Sequence, residues 1–158
     1  MLKTKGGKAI KSAKDLPDFD DLQRKFQSGK NAEVKIGFPA SNSKTQSSED
    51  DGVTALYKAT VNNFGLGVPK RPFMSVAFAQ NLSKYKKLIT DGFKDDFSSL
   101  KILKRVGVIG QSDVQRTITN FKSPPNSEAT IKAKGDNNPL IDSSHMVQSV
   151  SHAVEVAK

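Results

Sequence analysis

The sequence predicts an α+β fold, a small antiparallel sheet from N- and C-terminal strands packed against two long helices plus short helices. Three observations carry that prediction. Over residues 32–38, Val34, Ile36 and Phe38 alternate with Glu33, Lys35 and Gly37, the period of two of a half-buried strand. Val150, His152, Val154 and Val156 repeat the alternation at the other end of the chain. Between them lie two long stretches whose apolar residues recur at helical spacing.

Residues 1–17 read as a flexible basic arm, with Lys3, Lys5, Lys8, Lys11 and Lys14 ahead of the first acid, Asp15. A single domain occupies 18–158. Asp18 is placed to cap a helix in which Phe19, Leu22 and Phe26 fall at i, i+3 and i+7, and Gly29 stops it. Pro39 closes the first strand. Residues 41–52 carry no apolar side chain and read as a mobile loop.

A short helix follows, with Val53, Leu56, Thr60 and Phe64 on one side. Gly65, Gly67, Pro69 and Pro72 forbid regular structure in the next turn. The long helix over 73–97 lines up Phe78, Leu82, Tyr85, Ile89, Phe93 and Phe97, opposite Lys84, Lys87, Lys94 and Asp95. Leu100, Leu103, Val106, Val114, Ile118 and Phe121 extend helical spacing through a second long element. Gly107 and Gly110 interrupt it, and either let another helix pack closely or mark a break between two helices.

Pro124 and Pro125 end that element. Residues 127–134 suit one or two helical turns, 135–138 a turn cluster, and 143–149 a short helix capped by Asp142. The economical topology pairs the terminal strand with the 32–38 strand and lays the long helices on one face. Two strands alone are marginal in water. Either the pattern hides a further strand, or neighbouring subunits complete the sheet.

Composition narrows the function classes. The chain has 158 residues, 35% of them hydrophobic, and a mean hydropathy of −0.50, which is lean for a free-standing globule. Surface meant for a partner and flexible polar segments explain that leanness equally well. With no cysteine there is no disulfide framework and no thiolate metal site, which fits folding in a reducing cytosol. The lysine-bearing start lacks the apolar core of a secretory signal, and no run approaches a membrane span.

Catalytic chemistry finds little to work with, and no catalytic residue, cofactor or metal site is expected. His145 and His152 are the two histidines; His152 sits among alternating valines and reads as a packed or edge histidine. Glu49, Asp50 and Asp51 lack the alternating ligands of a calcium loop and suit a solvated helix entrance. Gly65 and Gly67 fit neither a dinucleotide fingerprint nor a P-loop. Gly107-Val108-Ile109-Gly110 has the spacing of a nucleic-acid-clamping GxxG turn, but its apolar middle favours helix packing.

Two segments remain that core packing explains poorly. Residues 64–73 (FGLGVPKRPF) join two glycines and two prolines to Lys70 and Arg71, and 138–142 (NPLID) set Pro139, Leu140 and Ile141 before Asp142. In this order they resemble the tail-completion, or head–tail joining, family of minor tail and neck proteins of tailed bacteriophages. The resemblance runs through VKIGFP at 34–39, NFG at 63–65 and KRPF at 70–73. It continues through PPN at 124–126, Thr130, Lys134-Gly135, NPLID, and the 149–151 start of the last strand. It spans about 32–157 and leaves out the lysine arm and the serine-rich loop.

What the resemblance implies is a structural, non-enzymatic role at the neck, in the virion, after assembly in the host cytoplasm. The partners implied are the head connector or head-completion protein, the tail terminator or tail tube, and further copies of the chain in a homo-oligomeric, six-fold ring. Lys70, Arg71, Pro72, Phe73, Pro139, Leu140, Ile141 and Asp142 are the expected supports or contacts of that interface. The competing expectation is a basic DNA-binding module. Its net charge of +9 and the arm's Lys3, Lys5, Lys8, Lys11 and Lys14 supply contacts for nucleic acid or another anion.

Overall fold

Helix α1 (Phe19–Gln27) leads through a turn at Gly29 into strand β1 (Ala32–Gly37). Then come α2 (Ala55–Phe64), α3 (Phe73–Lys94), α4 (Ser99–Asn120), α5 (Glu128–Lys134), α6 (His145–Gln148) and β2 (Ser151–Val156). This computed structural model describes residues 19–39, 53–135, 137–141 and 144–156. The lysine arm, the Asp18 cap, the 41–52 loop and the Asp142 cap lie outside the described residues, as do the side chains of Phe19 and Leu22.

The strands pair antiparallel, with Ala32 opposite Val156 and Gly37 opposite Ser151. Among the described residues the sheet has these two strands. Val34 faces Val154 and Ile36 faces His152 on the inner side, while Glu33 and Glu155 oppose each other outside. Two like charges in register repel. Lys35 offsets them, with its Nζ 3.0 Å from Glu33 and 2.6 Å from Glu155, and those hydrogen bonds hold its pKa up at about 12.

The sheet gains its support from α4. The predicted interruption at Gly107 and Gly110 is no break, since α4 runs unbroken through both and buries them. The close approach they permit is by the sheet, and not by another helix. A Cβ on Gly107 would stand 2.5 Å from the His152 ring, and one on Gly110 would stand 2.4 Å from Ile36 Cδ1. On its other side α4 packs against α3 as a helical hairpin, close enough at Gly92 that a Cβ there would meet Ile102 at 2.7 Å.

The main core gathers at the Phe73 end of that hairpin. Phe73, Ala77, Val114, Ile118, Leu140, Met146 and Val150 are buried together, with Ala59 from α2. Phe38, just past β1, sets its ring edge-on to Phe73 at 6.1 Å. Burying Phe73 completely removes on the order of 2–3 kcal/mol worth of apolar surface from water.

Two helices present different faces from those the periodicity suggested. In α2 the buried residues are Ala55 and Ala59, and Leu56 and Phe64 face outward. In α3 they are Phe73, Ala77, Tyr85 and Gly92, which leaves Leu82, Ile89 and Phe93 exposed. Lys84, expected opposite the apolar stripe, reaches across to Asp113 of α4. Ala55 and Ala59 of α2, and Ala77 and Gly92 of α3, are small residues on the inward faces that let these helices approach their neighbours closely.

The ends of the helices follow capping chemistry. Thr54 Oγ1 accepts from Tyr57 N–H, and Ser98 and Ser127 do the same for Lys101 and Thr130. The α3 helix stops at Lys94, three residues short of the predicted end. Asp96 takes a left-handed φ of 61°, and Phe97 N–H returns 2.9 Å to Gly92 O, closing a Schellman-type end. Phe97 therefore leaves the stripe and lies under the Lys101 ammonium, 3.8 Å away.

Candidate interaction surface

The turn after α2 is built by its glycines. Gly65 and Gly67 hold φ of +77° and +76°, which a side chain rarely adopts. Gly65 caps α2 by donating to Val61 O, and the chain folds back so closely that a Cβ on Gly65 would stand 2.8 Å from Lys70 Cβ. Arg71 N–H then donates to Asn62 O at 2.8 Å, and Asn63 Oδ1 receives Met74 N–H at the start of α3.

Arg71 is 5% exposed, so its guanidinium needs acceptors inside the protein. Its Nε donates to Pro124 O at 3.0 Å. One terminal nitrogen donates to Asn62 Oδ1 at 2.9 Å, and the other to Pro125 O at 3.1 Å and Asn126 Oδ1 at 3.3 Å. All four acceptors are neutral oxygens, and burial pushes the guanidinium pKa below its ordinary value. The planar fork suits this geometry, because its N–H groups point to several carbonyls at once.

Asn126 carries the connection onward by donating to Asn138 O at 3.4 Å. Asn138 donates to Thr119 O at the end of α4 and receives Leu140 N–H on its own side-chain oxygen. Lys134 Nζ, at the end of α5, also reaches Asn138 O. The sequence segments around 62–71, 124–126 and 134–140, far apart along the chain, thus meet in one polar staple that holds Leu140 in the core.

The residues expected at an interface divide by exposure. Phe73, Pro139, Leu140 and Arg71 are buried, Pro72 and Ile141 are half-buried, and Lys70 is exposed. Asp142 and the five arm lysines lie outside the described residues. The buried four shape the surface from within. What the turn offers outward is mostly apolar: Phe64 is 64% exposed and Leu66 58%, and Val68 is exposed too, beside one cation, Lys70. Sequence reasoning singled out the 64–73 segment but named Lys70 to Phe73 as its contacts, and not Phe64, Leu66 or Val68.

Asp113 is a second feature the sequence did not reveal. It is 2% exposed in α4 and accepts from Lys84 Nζ at 2.5 Å and from Tyr85 Oη at 2.9 Å. Burial, then the Asp113 hydrogen bond and its charge, push the Tyr85 phenol pKa well up. An open cleft of about 550 Å³ lies beside it, lined by Asn81, Arg116 and Asn120 among others. Asp113 is occupied by its two donors, so the cluster reads as a clamp between α3 and α4.

The two histidines sit apart. His152 Nδ1 lies 2.6 Å from Gln111 Oε1, with the ring against Gly107, while His145 opens α6. Among the described residues no group of three or more metal-ligating side chains converges, and no helix is long and apolar enough to cross a membrane. Comparison with protein-family models, with curated proteins and with solved structures finds no match to this chain.

Proposed function

We propose that the chain is a structural virion protein at the head–tail junction of a tailed bacteriophage, joining the tail tube or its terminator to the head connector. The observation that carries this reading is the convergence at Arg71. Three of the segments in which the sequence resembles tail-completion proteins, KRPF, PPN and NPLID, are tied together by Arg71, Asn126 and Asn138. They stiffen a turn whose outward side chains are mostly apolar. Rigid, exposed apolar surface is what an assembly protein contributes, since ordering is complete before the partner arrives.

In this reading the chain works as one member of a ring and has no turnover. Particles assembled without it accumulate separate filled heads and finished tails in electron micrographs. Purified protein restores joined particles, and Leu66→Asp protein does not. Joined, infectious particles in its absence would contradict the reading.

DNA binding is the second reading, favoured by one observation. Lys101, Lys104 and Arg105 are exposed together on α4 beside Val108. If they and the lysine arm grip phosphates, affinity for duplex DNA falls steeply with salt and is lost on removing residues 1–14. Salt-independent or absent binding removes this reading.

A further inference from the structure

The open cleft of about 550 Å³ between α3 and α4 plays no part in the assembly reading. Val76 and Gln80 line it from α3, Arg116 and Asn120 from α4, and the chain leaving α4 adds Phe121 and Lys122. Arg116 and Asn120 stand four residues apart and so share one face of their helix. Val76 and Phe121 are half-buried and give the cleft an apolar floor between its polar walls.

Asp113 is the one acid in the lining, and its charge is already met by Lys84, with Tyr85 as a second donor. Arg116, its side chain 70% exposed, comes only to 4.0 Å from that carboxylate, beyond hydrogen-bond length. Gln80, Asn120 and Lys122 make no side-chain hydrogen bond or ion pair among the described residues. Asn81 and Thr117, by contrast, turn back on their own helices and donate to Ala77 O and Asp113 O. The acids Asp91 and Asp95 line a separate cleft farther along α3, with Lys84, Lys87 and Arg105. The first cleft is therefore left with two cations and two carboxamides that no internal partner satisfies.

That set has a chemical preference. A guanidinium fork and an ammonium suit a carboxylate. A carboxamide offers both an acceptor and a donor, which match the N–H and C=O of a peptide unit. A nucleic-acid strand asks instead for a row of cations and for exposed rings on which bases stack. Here the one aromatic in the lining, Phe121, is half-buried.

We propose that this cleft binds a short peptide segment through a carboxylate. Arg116 and Lys122 hold the carboxylate, Gln80 and Asn120 hold the adjoining peptide unit, and Val76 and Phe121 receive an apolar side chain. The carboxylate comes from an acidic side chain or from a chain terminus, which present the same chemistry. The site goes beyond the head–tail reading and does not depend on it.

Amide-resolved NMR titration of the full chain with three probes tests the proposal. The probes are acetyl-Ala-Glu-Leu amide, with an internal carboxylate, acetyl-Ala-Gln-Leu acid, with a terminal one, and acetyl-Ala-Gln-Leu amide, with neither. At least one carboxylate probe gives saturable shifts confined to residues 76–81 and 113–123, and which one does identifies the source. The neutral probe binds about ten-fold more weakly or not at all. Arg116→Gln and Lys122→Gln each weaken the carboxylate probe by about ten-fold, and Arg116→Lys falls between. All three changes are at exposed positions, so melting temperatures stay at the wild-type value. Carboxylate probes that cause no saturable shift at millimolar concentration would overturn the proposal, as would an Arg116→Gln protein that binds them like wild type. Inorganic phosphate or a DNA duplex that binds the same residues more tightly than either peptide would also overturn it, in favour of a phosphate site.

Discussion

Arg71 binds four neutral acceptors from inside the protein, and no other side chain can satisfy them in the same plane. Arg71→Ala empties a buried site and leaves part-buried acceptors unpaired, and is expected to cost about 2–3 kcal/mol, read from chemical denaturation. Arg71→Lys keeps the charge but not the fork, and recovers only part of that loss. Tyr85 makes a prediction in pH. Its folded pKa is raised above the ordinary value of 10.0. Below that value both states hold the proton and the stabilisation is complete. Above it the unfolded chain releases the proton first, so stability falls as pH rises. Thermal stability therefore drops as pH rises beyond that value, and Tyr85→Phe removes the part of the drop that this phenol contributes, leaving the part due to raised lysines such as Lys35. The basic pair Lys70-Arg71 was visible in the sequence, but its division into one exposed and one buried cation was not. Burial of Arg71 depends on the carbonyls of Pro124 and Pro125, which composition does not advertise.

At the level of elements, the two glycines of α4 separate close packing from mere flexibility. Gly107 faces the stiff His152 ring and Val34, so Gly107→Ala is expected to destabilise by about 1–2 kcal/mol. Gly110 faces only the mobile end of Ile36, and the helix propensity gained by alanine offsets the crowding. Gly110→Ala should stay within about 1 kcal/mol of the parent in the same assay. Strands 32–38 and 150–156 and both long helices were legible because their periods of two and 3.6 are set by local geometry. The faces of α2 and α3 were not. Ala55, Ala59, Ala77 and Gly92 point inward because small residues permit closeness, while periodicity weighs apolar bulk. The stripe of Leu82, Ile89 and Phe93 is a real amphipathic face, but nothing within the described residues covers most of it. Ser98 caps α4 directly after Phe97, whose apolar side chain extends the helical period past the true end of α3.

The described residues form a helical hairpin with a small sheet on one side, and within them apolar surface is left open near both ends of α3. Its core, centred on Phe73, Val114, Ile118 and Val150, is well filled at one end of the hairpin. Phe73→Ala is expected to cost about 3–5 kcal/mol and to abolish assembly along with the fold. Leu66→Asp, in contrast, keeps the melting temperature and loses only association. That contrast separates a folding core from an assembly surface. The central claim is that this open surface is meant for protein partners. Hydrogen–deuterium exchange of the purified chain, alone and mixed with isolated phage tails, tests it most directly. Slowed exchange through the turn at 64–70 upon mixing is the predicted result. Unchanged exchange there, with protection confined to the cleft between α3 and α4, would contradict it.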